Sequence, residues 1–190
     1  MLDELKLKAT FTTLEAQEHG LSPRMLSYYV KTGVLERMAR GVYRFSDYIP
    51  KDENVLWEDL AVAAQRVPNG VICLISALNY YGLTDERMKA YWIAVPHAQA
   101  HSHFPLTRIV RLRNMNLGIE KKVIAEIEVK IFNPERTIVD SFRLLDFETA
   151  IKALKRYLKG ECGKPDLKKL SRYSKELRAN IEKHIVPLIA

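Results

Sequence analysis

The chain has 190 residues, of which 47% are hydrophobic and 28% are charged, with only eight glycines and eight prolines. This composition excludes a disordered or fibrous chain and fits a globular protein of one or two domains. Thirty basic residues against 23 acidic ones give a net charge of +7, which favours an anionic partner.

The sequence also lacks the marks of a membrane or secreted protein. No apolar run approaches the ~18 residues of a membrane span. The start of the chain, Met1–Lys6, carries acids and no apolar core, unlike a signal peptide. Cys73 and Cys162 are far apart, so we expect neither a disulfide framework nor a cysteine-based zinc site. We therefore expect a cytoplasmic protein.

The first predicted elements are two short helices joined by a tight turn. Thr12 or Thr13 can cap the first helix, which ends at Gly20. The second helix is predicted over Pro23–Thr32, with Ser22 as its cap. Two short helices around a turn that contains glycine form the helix-turn-helix pattern.

The second helix divides its residues cleanly at the helical period. One side is predicted to face the core and holds Met25, Leu26, Tyr29 and Val30. The other side is a polar stripe without acids and holds Arg24, Ser27, Tyr28 and Lys31. Such a stripe carries the hydrogen-bond donors that meet phosphates and base edges in a major groove.

A β-hairpin is predicted directly after the second helix. Its strands are Leu35–Met38 and Val42–Phe45, and Gly41 supplies the turn. Three arginines lie on or beside the tip, namely Arg37, Arg40 and Arg44. A helix-turn-helix followed by such a hairpin is a winged helix, in which the wing lies against the DNA backbone or minor groove. We therefore predict that residues 1–50 form a winged helix-turn-helix domain that binds DNA.

Residues 51–190 are predicted to form a second, mixed domain. After the polar linker Lys51–Asn54, helices are predicted over 55–67, 71–81, 134–145 and 146–159, followed by a last pair from Pro165 to the C-terminus. Strands are predicted over 91–95, 108–112 and 123–132. The fold class is therefore α+β, with a small sheet covered by helices on one side and a helical C-terminus.

Enzymatic sites find little support in the sequence. His97, His101 and His103 lie between two prolines without a nearby carboxylate, which favours exposed loop histidines over a zinc site. Glu128 and Lys130 have the spacing of a restriction-type nuclease site, but an alternating surface strand explains them without a metal.

Three further features of the second half of the chain bear on whether it is an enzyme. Ser141 lacks the glycine-rich elbow of a nucleophile. Arg136 and Asp140 are four residues apart on one predicted helix, the spacing of an ion pair. No phosphate-binding loop motif occurs, and Gly118 is isolated. We expect neither an enzyme nor a cofactor.

The motifs together resemble the AbiEi family of antitoxins. In the first half the matching stretches are Phe11–Thr13, Gly20–Ser22 and Gly33–Arg44, of which Leu35–Arg44 is the most diagnostic. In the second half they are Pro68–Leu78, Gly82–Thr84, Ile93–Pro96 and Pro134–Asp140, of which the last is the strongest.

This resemblance implies an antitoxin and transcriptional regulator of a toxin–antitoxin or abortive-infection pair. In that family the winged helix binds the operon's own promoter as double-stranded DNA and represses it, while the C-terminal domain carries the antitoxic activity against a nucleotidyltransferase-like toxin. Family members are usually described as acting without a stable complex with the toxin. Two alternatives stay open: a protein that neutralises a toxin by direct contact through its C-terminal domain, and a stand-alone winged-helix regulator.

The net charge is distributed unevenly along the chain. Residues 1–50 hold seven basic and six acidic side chains and carry only +1. Residues 101–190 hold 19 basic and 11 acidic side chains and carry +8. The predicted DNA-binding domain therefore depends on the placement of a few side chains, and the basic surplus belongs to the other domain.

Overall fold

The computed structural model describes residues 2–50, 57–99 and 104–189. It is a mixed α+β structure, as predicted, and forms two compact units. The first unit contains Met1–Gly70 and Lys121–Val129, and the second contains Val71–Glu120 and Lys130–Ala190. The predicted linker, the first two residues of the 55–67 helix, and His101 and His103 lie outside the described residues.

The first unit contains α1, a three-stranded antiparallel sheet and two helices that lie between the first and second strands in sequence. Its elements are α1 (Leu2–Lys6), β1 (Phe11–Thr12), α2 (Thr13–Glu18), α3 (Pro23–Lys31), β2 (Leu35–Ala39), β3 (Val42–Phe45) and α4 (Glu58–Arg66). The strand order is β1-β3-β2, so β3 pairs with both neighbours. This element order is the one that the winged-helix prediction requires, with α2 and α3 as the helix pair and β2–β3 as the wing.

Local sequence explains where α2 and α3 start. The Thr12 side chain accepts a hydrogen bond from the Glu15 amide, and the Glu15 carboxylate accepts one from the Thr12 amide, which makes a complete capping box. Ser22 caps α3 through the Met25 amide, and Pro23 occupies the first helical turn. The helices close over a small core of Leu5, Phe11, Ala16, Leu21, Leu26, Leu35 and Phe45.

The second unit is built on a five-stranded mixed sheet. Its strands are β4 (Val71–Ile72), β5 (Tyr91–Pro96), β6 (Thr107–Leu112), β7 (Ile119–Ile124) and β8 (Ile127–Phe132), in the order β6-β5-β4-β8-β7. β4 pairs antiparallel with β5 and parallel with β8, and β5 pairs parallel with β6. Most of β7 and the first half of β8, Lys121–Val129, belong to the first unit.

Five helices complete the second unit. They are α5 (Leu74–Tyr80), α6 (Pro134–Leu144), α7 (Phe147–Leu158), α8 (Leu167–Glu176) and α9 (Glu182–Ile189). Asn133 caps α6 and Asp146 caps α7 through side-chain oxygens. All five helices contribute to one buried cluster that includes Leu78, Ile138, Leu154, Leu170 and Ile185.

Two predicted elements are wrong in extent. The predicted helix over 71–81 is a short strand, β4, followed by α5, because a run of buried apolar residues does not distinguish a helix from a buried strand. The predicted strand over 123–132 is two strands joined by Ala125 and Glu126, which both have positive φ. A two-residue turn of this kind usually contains Asn or Gly, so its sequence signal is missing here.

Candidate nucleic-acid interface

The polar stripe predicted on the second helix lies on the exposed side of α3. The side chains of Arg24, Ser27, Tyr28 and Lys31 are all exposed. At 3.6 residues per turn these positions share one face of the helix. No acid occurs in α3, so a phosphate backbone that approached this face would meet no carboxylate of the helix.

The opposite side of α3 holds the helix against the core of the first unit. Leu26 is fully buried, and Tyr29 and Val30 pack against the same cluster. Met25 is 40% exposed, so the prediction that it faces the core is wrong. It lies at the boundary between the two sides, because a residue three positions before Tyr28 is only about 60° from it around a helix that turns by about 100° per residue.

Two residues of the stripe differ in what they offer a ligand. The Ser27 hydroxyl donates a hydrogen bond to the Pro23 carbonyl within the helix, at 3.0 Å, and therefore keeps only acceptor capacity. Tyr28 is 63% exposed, and its ring is tilted against the Tyr29 ring at a centroid distance of 5.8 Å. An exposed tyrosine combines an apolar face with a hydroxyl and is suited to contact a base or a sugar.

The wing carries two of its three predicted arginines outward. Arg37 lies on β2 and Arg40 at the turn, and both side chains are exposed. The pairing of β2 with β3 is irregular between Arg37 and Ala39, which is a β-bulge. Bulges twist a strand locally and redirect its side chains.

Arg44, the third predicted wing arginine, is used inside the first unit. Its guanidinium forms an ion pair with Glu58 at the start of α4, and its Nε donates to the Ala9 carbonyl at 3.0 Å. The guanidinium also lies over the Tyr48 ring, 5.6 Å from its centroid, and the side chain is only 11% exposed. These contacts give Arg44 a structural role that ties β3 to α4, and we leave it out of the proposed interface.

Arg66 at the end of α4 escaped the sequence analysis. Burial lowers the pKa of its guanidinium, and the positive charge of Arg40 lowers it further, so the two arginines lie within electrostatic reach of each other. This proximity could not be predicted from the sequence, because 26 positions separate the two residues and the pattern of α4 is that of an ordinary apolar helix. Arg66 is therefore a further arginine within electrostatic reach of Arg40.

Four of the residues considered for enzymatic sites have structural partners. Glu128 on β8 is exposed and forms an ion pair with Lys121 at 3.0 Å. Arg136 and Asp140 form the predicted ion pair at 2.6 Å, and both side chains are buried. The Ser141 hydroxyl donates to the Thr137 carbonyl at 2.8 Å and is buried.

Within residues 2–50, 57–99 and 104–189, no group of three or more histidine, cysteine, aspartate or glutamate side chains is arranged to hold a metal ion. Over the same ranges, no helix combines the length and the apolar character that crossing a membrane requires.

Comparison with known protein families gives a match at the start of the chain, within the first unit. Residues 1–46 match the family model described as "Transcriptional regulator, AbiEi antitoxin". The matched range ends one residue after β3 and so covers the helix pair and the wing. The resemblance predicted from the sequence is thereby confirmed over these residues.

One solved structure shares the fold of nearly the whole chain. The crystal structure of the RV2827C protein from Mycobacterium tuberculosis superimposes with a TM-score of 0.54 and 14% identity, covering 92% of this chain and 69% of that one. At this identity the likeness concerns the fold. No curated protein matches the chain significantly.

Proposed function

We propose that the protein is a cytoplasmic, DNA-binding autorepressor and antitoxin, which binds the promoter of its own operon and counters a nucleotidyltransferase-like toxin. The observation that carries the DNA-binding part is the exposed, acid-free face of α3 beside a wing with two outward arginines. The match of residues 1–46 to antitoxin regulators supports the regulatory part.

In this proposal the two parts of the interface have different tasks. The residues of α3, namely Arg24, Ser27, Tyr28 and Lys31, enter the major groove and select the sequence. Arg37 and Arg40 on the wing contact phosphates and fix the position of the domain on the duplex. Residues 1–50 carry a net charge of only +1, so in this proposal the affinity for DNA depends on these few contacts.

The first test distinguishes the proposed role of Arg40, a contact to the DNA backbone, from the structural role of Arg44. Arg40→Ala should weaken binding to every DNA sequence alike and lower the slope of log K against log salt by about one unit, because one phosphate contact is lost. The affinity is measured by fluorescence anisotropy over a series of salt concentrations, with the upstream promoter and a scrambled duplex.

Two variants serve as controls for Arg40→Ala. Arg87→Ala removes an exposed arginine of the second unit and should leave the slope unchanged. Arg44→Ala breaks the pair with Glu58 and should lower the melting temperature. If Arg40→Ala keeps the wild-type slope, the wing does not contact the backbone.

The second test concerns sequence selection by α3. Arg24→Gln or Tyr28→Ala should reduce the preference for the promoter over the scrambled duplex, since a lost base contact costs roughly 1–3 kcal/mol. The ratio of the two dissociation constants at one salt concentration measures this preference. A ratio equal to that of the wild type in both variants would exclude α3 as the element that selects the sequence.

The antitoxin part is tested in cells. Expression of the protein should restore the growth of cells that express a nucleotidyltransferase encoded next to its gene. The Arg40→Ala variant should restore growth as well when its expression is driven by a foreign promoter. Co-purification of the two proteins as a salt-resistant complex would instead support neutralisation by direct contact. The absence of such a neighbouring gene would leave a stand-alone regulator.

A further inference from the structure

A cavity of about 430 Å³ in the second unit is lined by an unusual number of arginines. β6 contributes Arg111, and Arg113 follows directly after its end, two positions on and thus on the same side. α6 contributes Arg136 and Arg143, which are seven residues apart and share one helix face. Arg178, which follows α8, completes the set.

The charge around this arginine cavity is only partly neutralised within the protein. Asp140 pairs with both Arg136 and Arg143, at 2.6 Å in each case, and Glu176 also lines the cavity. Five arginines against these two carboxylates leave an excess of three positive charges. Among the described residues, the structure gives no ion pair to Arg111, Arg113 or Arg178.

Arg136 supplies an independent observation. Its side chain is fully buried, with Nε bonded to Asp140 and one terminal nitrogen donating to the Leu117 carbonyl at 2.9 Å. Its other terminal nitrogen, Nη2, is buried and has no hydrogen-bond partner among the described residues. A buried charged donor without a partner is costly, and such groups in proteins commonly mark a place for a ligand, an ion or a water molecule.

The backbone conformation of Arg178 also supports a ligand site at this cavity. Arg178 has a φ of +55° at the end of α8, a position that glycine usually occupies because a side chain is strained in this conformation. Its amide and that of Ala179 close the helix end on Lys175 and Ser174. An arginine held in this conformation at the rim of a charged cavity is a strained residue at a candidate site.

We propose that the arginine cavity binds the phosphate groups of a nucleotide, either as a free nucleoside triphosphate or as the triphosphorylated 5′ end of an RNA. Guanidinium groups bind phosphate oxygens in pairs of hydrogen bonds, and several arginines together match a ligand with clustered phosphates. The volume falls in the range of small-molecule sites. Leu112, Leu144 and Leu177 line the cavity and provide apolar surface for a base. This site lies within the second unit and does not depend on the proposed DNA binding by the first.

The experiment is isothermal titration calorimetry on the full chain with four probes at one salt concentration. The probes are CTP, cytidine, a short RNA with a 5′-triphosphate and the same RNA with a 5′-hydroxyl. The proposal expects binding of CTP without binding of cytidine. If the triphosphorylated RNA binds more tightly than CTP and the 5′-hydroxyl RNA does not bind, the phosphates belong to an RNA end; equal or weaker binding assigns the site to the free nucleotide.

Two variants test the arginines separately from folding. Arg111→Gln and Arg178→Gly should each weaken CTP binding by about tenfold or more, because each removes a charge-assisted contact to phosphate. Arg178→Gly should at the same time raise the melting temperature by about 2–4 °C, because glycine relieves the positive φ. If Arg178→Gly is more stable than the wild type but binds CTP more weakly, partial unfolding cannot explain the weaker binding.

Arg87→Gln is the matched control, with the same charge change at an exposed arginine of the same unit outside the cavity. The proposal is overturned if cytidine binds as tightly as CTP, if no phosphorylated probe binds, or if Arg87→Gln has the same effect as Arg111→Gln. Loss of promoter binding in Arg111→Gln with unchanged CTP affinity would also overturn it and assign the arginine to DNA.

Discussion

Gly118 shows how one residue without a side chain supports a buried charge. It has a φ of +77°, and a Cβ added to it would lie 2.7 Å from the Cβ of Arg136. Its carbonyl accepts the Asn133 amide at 2.8 Å, directly before α6, and the neighbouring Leu117 carbonyl accepts from Arg136. The glycine therefore permits a close approach of backbone to the helix that holds Arg136 in place.

Gly118→Ala should lower the free energy of unfolding by about 2–5 kcal/mol, the sum of the cost of a positive φ and the cost of overpacking. Gly82→Ala is the control, since Gly82 also has a positive φ but no atom within 4 Å of the added Cβ. It should cost only about 1–2 kcal/mol. Urea unfolding measures both, and equal losses would show that the contact with Arg136 is unimportant.

At the scale of an element, α2 depends on its capping box. Burial acts to raise the pKa of Glu15, but hydrogen bonds from Lys8 and Thr12 outweigh it and hold the pKa below its ordinary value. A lowered pKa in the folded state means that the charged carboxylate stabilises the fold. This stabilisation is present above about pH 4.3, the pKa of an unfolded glutamate, and is lost as the pH falls through the lower folded value.

Glu15→Gln should therefore reduce the free energy of unfolding at pH 7 by about 0.3–1 kcal/mol, because it removes a charge near a helix N-terminus. The deficit should disappear at low pH, when the wild-type carboxylate is protonated as well. Urea titrations between pH 7 and pH 3 measure the difference. Glu18→Gln, at the other end of α2, should not lower stability, and a pH-independent deficit for Glu15→Gln would contradict the assignment.

The elements with strong local signals were predicted from the sequence, and those without them were not. α3 and the wing were found because Ser22, Pro23 and Gly41 mark their ends, whereas α1 and β1 are too short to show a period. The arginine cavity was not predicted, since its arginines come from a strand and two helix-associated segments and lie up to 67 positions apart in the sequence. Only packing brings them together, and no spacing rule describes that.

At the scale of the whole molecule, the chain leaves the first unit and later returns to it. Residues 121–129 belong to the first unit, and the Tyr48 hydroxyl donates a hydrogen bond to the Glu126 carboxylate at 2.6 Å. Burial and the neighbouring Glu126 carboxylate raise the pKa of Tyr48 to about 12. Because the folded pKa is raised, the neutral phenol stabilises the fold below about pH 10 and the benefit is lost as the pH rises through 12.

Tyr48→Phe should lower the free energy of unfolding by about 1 kcal/mol, the net worth of a hydrogen bond, with no change in the deficit between pH 7 and pH 9. Glu126→Ala in a double-mutant cycle should give a coupling energy of similar size. Val123→Thr, an exposed position on the same strand pair, is the control. Additive losses in the cycle would mean that the returning segment is not held through this hydrogen bond.

The segment Pro134–Asp140, the strongest motif in the second half of the chain, lies almost wholly in the interior: six of its residues are buried, and Pro134 is partly buried. A motif of this kind reports how the second unit is packed and says little about what its surface touches. The other four arginines of the cavity are exposed and lie outside the motif. Arg136 alone belongs to both, so two proteins with the same motif can differ in ligand while their interiors stay alike.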